Sequence, residues 1–205
     1  MGLNDCRCIF DNQSLQARQR RLRKIGQIHL RATKYMPLTI ELDDKFVMQW
    51  WVGASFAVHK DMKSHTGAGL TMGKGAIIAI STKQKINTDS LTVAELVGVH
   101  DALPMIMWSR YFIISQGYEV VKNIIHQDNQ SAMLLEKNGR SSCGRKTRAL
   151  DVRYFSITGK IKSGFMRVLH CPTAKMLGDF FTKPTQGTLF CTFRNLIMNP
   201  SDQYS

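Results

Sequence analysis

The stretch MQWWVGASFAVHKDMKSHTGAGLTM, residues 48–72, decides how this chain can fold. Apolar and polar residues alternate in its first and last parts, which is typical of β-strands. The polar segment HKDMKSHTG between these parts predicts a turn. Gly53 interrupts the first strand. A glycine inside a strand weakens it and often marks a bulge or a close approach of backbone or ligand. The stretch therefore predicts two strands joined by a turn and raises the question of why Gly53 is there.

Outward from these two strands, hydrophobic periodicity predicts further strands and helices. In chain order the predicted elements are strands near 47–58, 67–73 and 76–82, a helix from about Thr92 to Gln116 kinked at Pro104, a strand in 118–127, a helix in 128–138, a helix over 147–161, a strand in 165–171, a short helix in 173–184 and a last helix near 187–198. The order βββαβααβα implies an α/β fold, a mixed five-stranded sheet with helices packed on it.

Composition and charge favour an intracellular protein that contacts a polyanion. The chain has 28 Lys and Arg against 15 Asp and Glu, a net charge of +13. Nucleic acid is the expected partner, and an anionic membrane surface is the competing one. Five cysteines without framework spacing and the lack of a secretory signal predict the cytoplasm or nucleus and no secretion. No apolar run approaches the roughly 18 residues of a transmembrane helix, so no membrane partner is expected.

Two stretches of the chain are strongly basic. Residues 1–45 form a predicted N-terminal segment with a basic amphipathic helix that Pro37 ends; its charged face is either simply solvated or contacts a polyanion. The main domain is predicted over 46–184, and a C-terminal helix and tail over 185–205. Within the main domain, residues 137–167 carry nine Lys or Arg and one acid. The candidate nucleic-acid-binding residues there are Arg140, Arg145, Lys146, Arg148, Arg153, Lys160 and Lys162, with a solvated basic surface as the alternative.

Three acidic residues lie where predicted strands end or helices begin. Each has an ordinary explanation: Asp128 as a helix N-cap, Glu95 in a capping box with Thr92, and Asp179 as a solvated charge. Taken together, carboxylates that converge on a central strand would bind hard divalent cations. Two such ions ~3.5–4 Å apart can activate a water and stabilise the leaving oxygen in phosphodiester hydrolysis. In a basic protein this combination indicates a nuclease.

Four segments resemble the ribonuclease H domain of copia-type retrotransposon Pol polyproteins: STKQKINTDSLTVAELVGVHDALPMIMWSRYF, HQDNQSAMLLEKNGR, KTRALDVRYF and LGDFFTKPTQG. QIHLRATKYMPLTIE resembles the tail of the preceding reverse transcriptase, which makes residues 1–45 a remnant of that connection. The resemblance implies the RNase H-like mixed five-stranded sheet and cleavage of the RNA strand of RNA–DNA hybrids by two Mg²⁺ or Mn²⁺ ions. It also implies nucleic acid, as hybrid or duplex, and reverse transcriptase as partners.

The resemblance assigns roles to individual residues. Glu95 of AEL, Asp128 of DNQSA and Asp179 before TKP match three of the family's four catalytic, metal-binding carboxylates. The family's remaining carboxylate lies in the first strand and bridges both metals, and that position here is Gly53, which offers no ligand. We therefore expect an impaired or inactive ribonuclease H. The alternatives are a non-catalytic nucleic-acid-binding module and the translated product of a truncated pseudogene.

Overall fold

A computed structural model describes residues 36–43, 46–139 and 151–200, with the main chain only for 151–155. These residues form seven strands, four α-helices and two 3₁₀ helices. They are β1 (Glu41–Leu42), β2 (Val47–Ser55), β3 (His65–Thr71), β4 (Gly73–Lys74), β5 (Ile78–Lys83), α1 (Leu91–Ser115), β6 (Lys122–Gln127), α2 (Gln130–Asn138), α3 (Asp151–Lys162), β7 (Arg167–His170), the 3₁₀ helices Thr173–Lys175 and Leu177–Phe181, and α4 (Gly187–Met198). The predicted N-terminal basic helix lies outside the described residues.

Five of the strands form one mixed sheet in the order β5-β3-β2-β6-β7. The pairs β2–β3 and β3–β5 are antiparallel, whereas β2–β6 and β6–β7 are parallel. Parallel neighbours need a crossover connection, and helices α2 and α3 provide it between β6 and β7. The predicted fold class is confirmed. The short pair of β1 with β4 was not predicted from the sequence.

The pairing of β2 with β3 is regular from Gln49 opposite Thr71 to Ser55 opposite His65, with Gly53 opposite Gly67. Gly53 therefore does not mark a bulge. One face of β2 enters the main core, where Met48, Trp50 and Val52 pack with apolar residues of α1. The other face, which includes Gly53, lies against the second 3₁₀ helix.

Helix α1 begins at Leu91 and continues through Pro104 to Ser115. Its N-cap is Ser90, whose hydroxyl accepts a hydrogen bond from the amide of Val93 at 3.3 Å. The predicted capping box of Thr92 and Glu95 is therefore wrong, because the serine two residues earlier already takes the extended N-cap conformation. By length and composition alone α1 would pass for a membrane span, which the sequence did not lead us to expect. Its mean hydropathy is 1.2, and 56% of the apolar window is buried in the protein.

The segment TAKMLGDFFTKP, in which a short helix was predicted, forms two 3₁₀ helices. Amides of Met176, Asp179 and Thr182 donate to carbonyls three residues earlier. The reason is tertiary, because the main chain of this segment lies directly on the sheet. A Cβ added at Gly67 would lie 2.7 Å from the carbonyl oxygen of Gly178, too close for any side chain.

The described residues from Leu38 onward form one compact unit. Helix α4 packs through Phe193 and Ile197 against Ala76 and Leu177, in a second, smaller apolar cluster. The amide of Ala76 donates to the carbonyl of Ile197 at 2.8 Å. The predicted boundaries after residues 45 and 184 stay predictions.

Candidate active site

The structure brings Glu95, Asp128 and Asp179 to one end of the sheet. Glu95 lies in the first turns of α1, Asp128 follows β6 directly, and Asp179 lies in the second 3₁₀ helix, against β2. The negative charges of Asp128 and Asp179 both act on Glu95, and that of Asp128 acts on Asp179. Three carboxyl groups distant in sequence therefore share one electrostatic environment.

None of the three acids has the ordinary role that its sequence position offers. The N-cap of α2 is Asn129, whose side-chain oxygen accepts from the amide of Ala132 at 3.1 Å. Asp128 instead accepts a hydrogen bond from the hydroxyl of Thr173 at 3.1 Å. Asp179 is only 7% exposed, so it is not a solvated charge. With the capping box also absent, the three carboxyls are explained better by one another than by local structure.

Glu95 is buried and holds its proton near neutral pH. Burial first, and also the charges of Asp128 and Asp179, raise the pKa of its carboxyl to about 8, although the backbone amide of Ala54 and the ammonium of Lys183 act in the opposite direction. Its Oε2 has no hydrogen-bond partner within the part of the chain that the structure describes. An ionised Glu95 would need a nearby positive charge.

Lys183 supplies a positive charge to the same group of acids. Its Nζ donates to Oδ2 of Asp179 at 2.8 Å. Burial raises the pKa of Asp179, and this hydrogen bond and charge lower it. The spacing of four residues is one that commonly pairs opposite charges, so the sequence contained a signal for this pair. The Lys183 ammonium thus holds one of the oxygens that a metal ion would use.

Gly53 leaves room for a side chain that would point at these acids. An added Cβ would lie 3.5 Å from Oδ1 of Asp179 and 3.6 Å from the terminal methyl of Met176, both ordinary van der Waals distances. Gly53 is not among the glycines with positive φ. The glycines required by the close contact between the sheet and the second 3₁₀ helix are instead Gly67 and Gly178. Nothing in the packing around residue 53 requires a glycine.

The residues present do not fit the pair of divalent ions that the resemblance implies. Across residues 36–43, 46–139 and 151–200, no group of three or more His, Cys, Asp or Glu side chains is arranged to hold a metal ion. Residue 53 has no ligand atom, and the Lys183 ammonium occupies an oxygen of Asp179. Hard divalent cations need several oxygen ligands each, and this set is too small for two.

A fourth acid, Glu136, was missed from the sequence. It lies in α2 with 0% exposure, and burial raises the pKa of its carboxyl to about 8, with a further contribution from the charge of Glu95. The fully buried amide of Gln127 lies close enough to lower that pKa, but no well-formed hydrogen bond joins the two side chains. Ala132 and Met133 are buried on the same helix, at the spacing that places residue 136 on their face. That spacing was the available signal.

The predicted nucleic-acid-binding lysines lie at the other end of the sheet from the acids. Lys160 and Lys162 are at the end of α3, and β7 begins shortly after them with Arg167 paired to Ile124, near the start of β6. Asp128 follows the far end of that strand, four residues beyond Ile124, so the start of β7 lies ~13 Å from it along the sheet. The predicted residues Arg140, Arg145, Lys146 and Arg148, and the side chain of Arg153, lie outside the described residues.

Structural comparison finds RNase H1 enzymes. RNase H1 from Halobacterium salinarum has 14% sequence identity and a TM-score of 0.45, covering 64% of this chain and 90% of that one. LC11-RNase H1, isolated from compost by a metagenomic approach, has 16% identity and a TM-score of 0.47, covering 66% of this chain and 90% of that one.

Sequence comparison finds Pol polyproteins, whereas no protein-family profile matches the chain. The retrovirus-related Pol polyprotein from transposon TNT 1-94 of Nicotiana tabacum is 30% identical over 135 residues, which are 66% of this chain and 10% of that protein. That from transposon RE1 of Arabidopsis thaliana is 28% identical over 187 residues, 90% of this chain and 12% of that protein. The resemblance seen in the sequence is confirmed: the chain is a relative of the Pol polyproteins of plant retrotransposons, similar to about a tenth of their length.

Proposed function

We propose that this chain is an RNase H-like domain of a retrotransposon Pol polyprotein whose hydrolysis of RNA–DNA hybrids is impaired. The observation that carries the proposal is the position of Gly53. An added Cβ there would lie 3.5 Å from Oδ1 of Asp179, in the same group of acids as Glu95 and Asp128. A carboxylate at residue 53 would complete a set of four, and the glycine removes it.

The impairment follows from charge and ligand number. Two-ion hydrolysis depends on both ions being held side by side. Three carboxyls remain. One of these, Glu95, holds its proton near pH 7, and another, Asp179, is paired with Lys183. Fewer oxygen ligands and one competing ammonium both weaken cation binding.

The test is hydrolysis of a labelled RNA–DNA hybrid in Mg²⁺ and Mn²⁺ by the natural chain and by Gly53→Asp. We expect Gly53→Asp to cleave the RNA strand at least about 100-fold faster, because it restores the missing ligand. Gly53→Asn is the matched control, since it has the same size without the charge. Adding Asp179→Asn to Gly53→Asp should abolish the gain. Equal, strong, metal-dependent cleavage by the natural chain and Gly53→Asp would contradict the proposed impairment.

The net charge of +13 favours a second candidate, a non-catalytic module that binds nucleic acid. Such a module would bind duplex or hybrid through phosphate contacts, with an affinity that falls as salt rises. A folded natural chain that shows no salt-sensitive affinity for either ligand in an electrophoretic assay would count against it. Reverse transcriptase is a proposed partner in both cases, on the strength of the Pol polyprotein relatives.

A further inference from the structure

Two histidines face each other where the β2–β3 hairpin turns. His59 lies in the turn and His65 is the first residue of β3. Nε2 of His59 and Nδ1 of His65 are 3.1 Å apart, and the ring centroids are 5.2 Å apart. Both side chains are half-buried, so a small ion can reach the space between them. Neither residue belongs to the carboxylate site described above.

Hydrogen bonds on the far side of His65 decide which of its nitrogens carries the proton. Ser81 donates its hydroxyl proton to the carbonyl of Phe181 at 2.8 Å. The hydroxyl oxygen of Ser81 also lies 2.9 Å from Nε2 of His65. Because its own proton goes to Phe181, it can only accept a hydrogen bond from His65. Nε2 of His65 therefore carries the proton, and Nδ1 presents a lone pair to His59. A metal-binding histidine has this arrangement, with its second ring nitrogen donating to an oxygen.

The separation of the two facing nitrogens suits two ligands of one ion. Zn–N bonds are ~2.0–2.1 Å long. Two nitrogens 3.1 Å apart would then subtend an angle of roughly 98° at the ion, between square and tetrahedral values. Binding requires that the proton on Nε2 of His59 move to Nδ1 and that the two rings turn so that both lone pairs aim at the ion. Imidazole ligands suit Zn²⁺, Cu²⁺ and Ni²⁺.

Burial, and then the charge of His59, hold the pKa of His65 below its usual range, so the ring is neutral at pH 7. Two lysine ammonium groups and one carboxylate lie near the turn, so the carboxylate offsets the charge of one lysine and leaves the other. Asp61 lies 2.7 Å from the Nζ of Lys83 and 3.7 Å from that of Lys63.

We propose that His59 and His65 bind one transition-metal ion of the Zn²⁺, Ni²⁺ and Cu²⁺ class, with water completing its coordination, and that Ser81 orients His65 for this role. The histidine site shares no residue with the cluster of acids near Gly53. It therefore stands whether or not the chain, or Gly53→Asp, cleaves a hybrid.

The test is calorimetric titration of the full chain with Ni²⁺ and Zn²⁺. We expect the natural chain to bind one equivalent, and His59→Gln and His65→Gln to weaken that binding at least about tenfold. Glutamine at 59 can still donate an amide hydrogen to His65, so the hairpin keeps its hydrogen bond. His100→Gln, which changes a histidine of α1 beside Asp101, is the matched control and should bind as the natural chain does.

Two further measurements separate a metal site from a structural hydrogen bond. Bound Cu²⁺ should show two nitrogen ligands by electron paramagnetic resonance in the natural chain and one in His59→Gln. Ser81→Ala should weaken binding by about tenfold, because it removes the acceptor that orients His65. The proposal is overturned if the natural chain binds no ion, or if His59→Gln and His65→Gln bind as tightly as it does. All these variants keep the cysteines of the natural chain. Metal binding by thiols would therefore persist in the histidine variants, and that result would count against the proposal.

Discussion

At the scale of the residue, Glu95 and Glu136 are two buried acids that make stability depend on pH. Each carboxyl has a pKa of about 8, against a model-peptide value of 4.5. The unfolded chain loses these protons near pH 4.5, whereas the folded chain keeps them until about pH 8. The folded state is therefore penalised progressively between these values, and the free energy of unfolding falls as pH rises from about 4.5 to about 8.

Glu136→Gln should remove its share of this dependence. Glutamine has nearly the same shape and cannot ionise, so we expect it to raise the free energy of unfolding at pH 8 by on the order of 2 kcal/mol, with little change near pH 4.5. Urea unfolding at the two pH values measures the difference. Glu119→Gln, at an exposed position just before β6, is the control. The same pH dependence in Glu136→Gln as in the natural chain would mean that Glu136 is ionised, and stabilised, in the folded protein.

At the scale of the element, the second 3₁₀ helix is held on the sheet by main-chain contact. Gly67 of β3 faces the carbonyl of Gly178, and the hydroxyl of Ser55 donates to the carbonyl of Thr182 at 3.0 Å. This contact places Asp179 beside Gly53. The position of Asp179, a candidate site residue, thus depends on a glycine in another strand.

Gly67→Ala should destabilise the protein and displace Asp179. Its Cβ would lie 2.6 Å from a methyl of Thr182 and 2.7 Å from the carbonyl oxygen of Gly178, and backbone cannot move away cheaply. We expect a loss of about 1–3 kcal/mol in unfolding free energy. Gly159→Ala in α3 is the matched control, since an added Cβ meets nothing within 4 Å there and should stabilise the helix by about 0.5–1 kcal/mol. Equal stability of Gly67→Ala and the natural chain would show that the 3₁₀ helix can shift without cost.

Elements with strong periodicity were predictable from the sequence, and those decided by distant contacts were not. The last helix was predicted at 187–198 and lies at Gly187–Met198. The 3₁₀ helices and the pair of β1 with β4 depend on contacts with residues distant in sequence, which a local sequence pattern does not show. Glu95, Asp128 and Asp179 were selected from the sequence through the resemblance as well as through position. Glu136 was missed although its spacing from Ala132 and Met133 places it on the buried face of its helix, because an acid in a short helix ordinarily faces solvent.

At the scale of the whole molecule, the excess of positive charge should govern binding to nucleic acid. Each phosphate contact contributes about 0.9 to the slope of log affinity against log salt on a DNA duplex. Lys162→Gln should therefore lower that slope by about 0.9 if Lys162 touches a phosphate. Lys74→Gln is the control, since Lys74 is already paired with Glu41 at 2.9 Å. Titrations at several salt concentrations measure both, and unchanged slopes in Lys162→Gln would remove that lysine from the interface.

The separation of Lys160 and Lys162 from the acids also sets a minimum length for the ligand. A duplex that lies along the sheet and reaches from the start of β7 to Asp128 must extend ~13 Å, or about four nucleotide steps per strand. Oligonucleotides shorter than this footprint can occupy one end at a time, whereas longer ones can bridge both. If nucleic acid binds along the sheet as proposed, the length of the strand between Lys122 and Gln127 thus sets the shortest ligand that can contact both ends.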